Sequence, residues 1–84
     1  MTKFPLVVVR WLDSRRPAAA WLRLSDFEPD GVCDCLSVGY IIYEDETQLT
    51  IAPNIADADS EDPQISGTIE IPVCAVVEKK ILKI

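Results

Sequence analysis

The sequence predicts a small, nearly all-β domain, and three observations carry that expectation. The first is a hairpin signature. Ser37-Val38-Gly39-Tyr40-Ile41-Ile42-Tyr43 and Gln48-Leu49-Thr50-Ile51-Ala52 flank the polar residues Glu44-Asp45-Glu46-Thr47. Two β-rich runs around a short acidic turn pair antiparallel. The second is that two further strand-like runs follow, rich in β-branched Val and Ile. The third is that no segment shows a convincing helical period.

Phe4 to Leu12 reads as the first strand. Its alternating sets are Leu6, Val8, Arg10, Leu12 and Pro5, Val7, Val9, Trp11, both mostly apolar. Such a strand expects cover on two sides, one from the core and one from a neighbouring segment or a partner subunit. Asp13 to Pro17 is a turn or loop, with Pro17 opposing helix continuation. Ala18 to Leu24 reads as a short strand or irregular segment that plants Trp21. Ser25 to Gly31 is a loop, where Pro29 and Gly31 bracket Asp30 in turn chemistry.

Val32 to Tyr43 is long for one strand, and Gly39 inside it marks a bend or bulge. Leu36, Val38, Tyr40 and Ile42 share one face; Cys33, Cys35, Ser37, Gly39 and Ile41 share the other. Gln48 to Ala52 is the next strand, with Leu49 and Ile51 inward, and Pro53 ends it. Asn54 to Gln64 reads as a long acidic loop. Ile65 to Ile71 alternates as a fourth strand, Pro72 breaks it, Val73 to Ala75 is a tight turn, and Val76 to Ile84 closes the chain. This is the order of a five-stranded antiparallel SH3-like or Sm-like small barrel. Closure would remove the exposed edges of so strand-rich a chain.

The 84 residues are expected to form one domain, residues 1–84, with no room for a second. A chain this short hides only about 60–65% of its unfolded surface. With 49% hydrophobic residues, burial against another copy is a natural completion. The formal charge of −6 disfavours phosphate backbones. Basic residues nevertheless gather as Arg10, Arg15, Arg16 and Arg23 early and Lys79, Lys80 and Lys83 late. Three cysteines do not close a disulfide framework. Pro5 to Val9 is too short for a signal h-region or a membrane span. A reducing cytoplasm is the expected location.

Several of these residues together look familiar. Val9-Arg10-Trp11-Leu12-Asp13, Trp21, Ser37-Val38-Gly39-Tyr40, Glu44-Asp45, Ala52-Pro53 and Ile71-Pro72 with Val76-Val77 resemble small uncharacterised phage and prophage proteins. The resemblance spans most of the chain through short motifs. It implies a small-barrel fold and a mobile-element origin, and it transfers no catalytic residues. The Sm-like analogy would imply RNA binding by a ring. Against it, no Asn or Asp stands with basic residues in the Sm manner, and the charge is acidic.

Candidate chemistry is sparse. Cys33 and Cys35 lie on one strand face, and Cys74 would be a third soft ligand, but no histidine completes a zinc set. Packing as small apolar residues is the expectation, without metal or cofactor. Asp57, Asp59, Glu61 and Asp62 lack the glycine and flanking helices of an EF-hand and read as a solvated loop. Catalysis lacks its commonest general base, because the chain has no histidine. Ser37 and Ser66 have no evident activating base. The chain is not expected to be an enzyme.

Trp11 and Trp21 are either core anchors or, exposed together, an apolar patch. With Arg10, Arg15, Arg16 and Arg23 they outline an aromatic–arginine interaction surface suited to a protein hot spot or single-stranded nucleic acid. The leading expectation is a self-associating, non-enzymatic protein–protein interaction module of phage origin that binds a phage or host protein, with no membrane partner. Sm-like nucleic-acid binding and an acidic anti-defence decoy are the alternatives.

Overall fold

The computed structural model describes residues 4–16 and 20–83. Among these residues seven strands follow in order: β1 (Leu6–Asp13), β2 (Cys33–Glu44), β3 (Gln48–Ala52), β4 (Asn54–Ala56), β5 (Gln64–Ser66), β6 (Ile69–Pro72) and β7 (Val76–Leu82). Single 3-10 turns occupy Leu24–Asp26 and Val73–Ala75. Five strands form one antiparallel sheet in the order β6-β3-β2-β1-β7, and β4 with β5 forms a separate two-stranded ribbon. No ladder joins the edge strands β6 and β7 among the described residues, so a closed barrel is not found.

The period-two pattern of β1 decides where the core sits. Val7, Val9 and Trp11 point inward and are buried, and with Leu49, Ile51 and Ile71 they make up the core cluster. In a flat sheet, β1 and β6 would lie three strand spacings apart, roughly 14 Å. Their residues share one core, so the sheet folds over on itself. The ion pair of Lys79 with Glu44 spans the same fold: Lys79 lies opposite Val9 on β7, while Glu44 lies opposite Leu49 at the far end of β2.

β2 makes the fold-over possible. It pairs with β1 through its first half and with β3 through its second, and the register shifts between Ile41 and Tyr43. An inserted residue of this kind bends a strand and raises its twist. Gly39, buried before the bend, lets two backbones approach: a Cβ there would stand 3.1 Å from the Ala52 carbonyl carbon and oxygen. Trp11 locks the other half, donating from Nε1 to Ser37 Oγ at 3.0 Å.

Asp45 organises the β2–β3 turn. Its carboxylate accepts from the Thr47 and Gln48 N–H groups at 2.8 and 2.9 Å, and from the Thr47 and Tyr43 hydroxyls at 2.9 and 2.8 Å. These donors satisfy turn backbone that the strands cannot reach. They lower its pKa from 3.8 to about 2, the Thr47 N–H contributing most.

Two sequence expectations need correction. Residues 54–64 are not all loop: Asn54–Ala56 pairs with Gln64–Ser66 as the β4–β5 ribbon. Ile65 to Ile71 is not one strand either. Gly67, at φ +76°, turns the chain out of the ribbon before Ile69 joins β3. Only glycine adopts that backbone without strain. Of the two forms expected for the segment around Trp21, strand or irregular, Ala20 to Arg23 takes the irregular one and is exposed, while Ala18 and Ala19 lie outside the described residues.

Two outcomes follow. Gly39→Ala crowds the Ala52 backbone and should lower unfolding free energy by about 1–3 kcal/mol, the usual cost of overpacking; an unchanged urea midpoint contradicts the close approach. Asp45→Asn should melt lower than the parent at pH 7. A carboxyl held low in the folded state stabilises it above the ordinary value, and that contribution is lost as pH falls from 3.8 through about 2. The gap in melting temperature therefore closes over that window, whereas a constant gap contradicts the turn assignment.

Candidate interaction surface

The connection from β1 to β2 is the candidate site. Residues 14–32 leave the sheet at Asp13 and re-enter at Cys33, its partner in the ladder. Among the described residues this connection contains no strand and has only the 3-10 turn Leu24–Asp26. The molecule is elongated, 57 × 23 × 22 Å, with a radius of gyration of 16.9 Å. A compact chain of this length would have a radius near roughly 12 Å. The connection is a projecting arm.

Its bonding is local. Arg15 donates from Nε to the Gly31 carbonyl at 3.1 Å and from Nη2 to the Val32 carbonyl at 3.3 Å, clasping the two legs at the base. At the 3-10 turn, the Asp26 and Phe27 N–H groups donate to the Arg23 and Leu24 carbonyls. The apolar side chains stay in solvent. Trp21 is 93% exposed and Leu24 88%, and Leu22, Phe27 and Val32 are exposed as well. Large apolar groups gathered on one projection mark an interaction site, where scattered ones would need no explanation.

A second apolar area lies on the outer face of the sheet. The ladder sets Val8 opposite Val38, Arg10 opposite Leu36, and Leu12 opposite Asp34, all pointing away from the core. Leu36 is 71% exposed, and Leu12 and Val38 are also exposed. One ion pair crosses this face: Arg10 Nε and Nη2 reach Asp34 Oδ1 and Oδ2 at 3.0 and 2.7 Å. The hydrogen bonds from Arg10 hold the Asp34 carboxyl below its usual range.

The six residues proposed from sequence are thus divided. Trp11 is 8% exposed and belongs to the core, so it adds nothing to a surface. Arg10 is engaged by Asp34 on the sheet, and Arg15 clasps the arm. Arg16, Trp21 and Arg23 stand exposed on the arm itself. Leu22, Leu24, Phe27 and Leu36 were missed. For Leu22, Leu24 and Phe27 the available signal was large apolar residues beside loop punctuation, Pro29-Asp30-Gly31; for Leu36 it was its place on the face of β2 opposite Cys35 and Ser37.

Burial, then Asp13, Cys33 and Asp34, push the Cys35 thiol up, and Cys33 and Cys35 are half-buried while Cys74 is exposed. Among the described residues no three His, Cys, Asp or Glu side chains converge as a metal site. No helix among them is long and apolar enough to cross a membrane. No family model, curated protein or solved structure matches the chain.

The two indoles should report this division separately. Trp21→Phe leaves the core indole and should shift emission to the blue with weak iodide quenching. Trp11→Phe should leave red-shifted, strongly quenched emission. Equal quenching of both variants contradicts an exposed Trp21.

Proposed function

We propose that the chain is a non-enzymatic protein–protein interaction module that self-associates, built on a five-stranded SH3-like or Sm-like barrel. The observation that carries this reading is the arm: a stabilised projection whose Trp21, Leu22, Leu24 and Phe27 find no cover on their own domain. Four strands in hairpin succession, followed by a 3-10 turn that returns β7 to the free side of β1, support the barrel order. The mobile-element origin rests on the short motifs quoted above, and a phage or host protein remains the external partner in this reading.

One observation favours a second reading. Arg16 and Arg23 flank Trp21 on the exposed arm, and stacking aromatics between cations suit single-stranded nucleic acid. The net charge of −6 weighs against it. Binding of a single-stranded oligonucleotide that weakens steeply with salt, and is lost in Trp21→Ala, would establish it. Absence of binding at low salt removes it.

Sedimentation equilibrium from 1 to about 100 micromolar tests the first reading, since interfaces of standard size hold at such concentrations. A reversible oligomer is expected. A strict monomer throughout the range contradicts self-association.

A further inference from the structure

We infer that self-association proceeds through the free edge of β7, which pairs antiparallel with β7 of a second copy about a two-fold axis at Lys79. This inference rests on the self-association reading and names the strand that carries it. β7 ends the five-stranded sheet, and each of its residues from Val77 to Ile81 is exposed. The opposite end, β6, has only four residues, and its Pro72 offers no N–H. β7 is the edge with room for a further strand.

The ladder shows which backbone groups are free. The Ile41 N–H donates to the Pro5 carbonyl, so the odd-numbered residues of β1 turn their N–H and C=O groups toward β2. Leu6, Val8 and Arg10 turn theirs toward β7, where they face Leu82, Lys80 and Glu78. Lys79 and Ile81, lying between those partners, therefore aim their backbone groups away from the sheet. Among the described residues no turn or loop backbone bond reaches either of them.

Side chains select a second copy as the added strand. Any extended peptide can join an edge through its backbone, so the occupant is decided by what stands opposite each residue. Reversed about Lys79, β7 sets Lys80 opposite Glu78 twice and Ile81 opposite Val77 twice. Val77 and Ile81 are both exposed, and each gains apolar cover. Glu78 and Lys80 meet in a non-hydrogen-bonded pair, where the opposed backbones lie about 4.5 Å apart. Across the joined sheet Arg10, Glu78 and the second copy's Lys80 then alternate in sign, while Arg10 keeps Asp34. Lys79 meets its own equivalent on the axis, where the Glu44 carboxylate of each copy balances it.

Other registers fail. An axis at Glu78 sets acid against acid, and one at Lys80 sets base against base. An axis between two residues sets bonded groups against free ones. Lysines on an edge ordinarily repel a further strand, but here the one acid of β7 stands where it answers Lys80. The contact is isologous, so it uses up the free edge and closes at two copies. The arm takes no part in it.

A charge-exchange experiment read by sedimentation tests the pairing. Glu78→Lys sets base against Lys80, and Lys80→Glu sets acid against Glu78. Both positions are exposed, and circular dichroism checks that the variants fold. Each variant alone should lose dimer affinity by about tenfold or more, since two cross-strand pairs turn from attractive to repulsive. The substitutions move the net charge in opposite directions, so a loss in both reports register and not bulk repulsion. Mixed in equal amounts, they should form a heterodimer, and the double variant carrying both changes should regain the parent's affinity. If either single variant dimerises like the parent, edge pairing is overturned while self-association stands. A mixture or a double variant that stays monomeric overturns it as well. A monomeric parent chain overturns both readings.

Discussion

One bent strand holds the structure together. β2 spends its first half beside β1 and its second beside β3, and the bend between them turns a single sheet into two facing walls. Without it, Val7, Val9 and Trp11 would lose the cover of Leu49, Ile51 and Ile71, which among the described residues complete their core cluster. Each such side chain contributes about 1.5–3 kcal/mol on full burial, so the fold-over carries much of the stability a short chain can muster. Gly39 permits the close backbone approach, and Trp11 fixes the first wall through Ser37.

The same economy explains the exposed surfaces. Six large apolar residues form the buried cluster, yet more than that number stand exposed on the arm and the outer face. A domain of this size cannot wrap a second apolar layer around its own sheet. The ion pair of Arg10 with Asp34 breaks the outer face into apolar strips and discourages indiscriminate association. Exposed ion pairs add little stability, so specificity is its more useful contribution.

Much of the sheet was legible because alternation is a local property. The inner and outer sets of β1, the faces of β2 up to the bend, the acidic turn and the Pro72 break all follow from neighbours in sequence. The β4–β5 ribbon was not legible, since its strands are three residues each and mostly polar. Gly67 stood inside an alternating run, and only its positive φ reveals that it separates two sheets. The fates of Trp11 and Trp21 were illegible for a different reason. The residue type is the same, and burial depends on whether a distant strand arrives to cover it. β3 and β6 arrive over Trp11; among the described residues nothing arrives over Trp21.

The fold-over is the claim on which both the core and the orphaned arm depend, and methyl nuclear Overhauser contacts measure it most directly. Val7 and Val9 should show cross-peaks to Leu49 and Ile71, residues that a flat sheet would hold beyond the reach of the effect. Cross-peaks from β1 methyls confined to β2 and β7 would mean an open layer, and the account of both core and surface would fail with it.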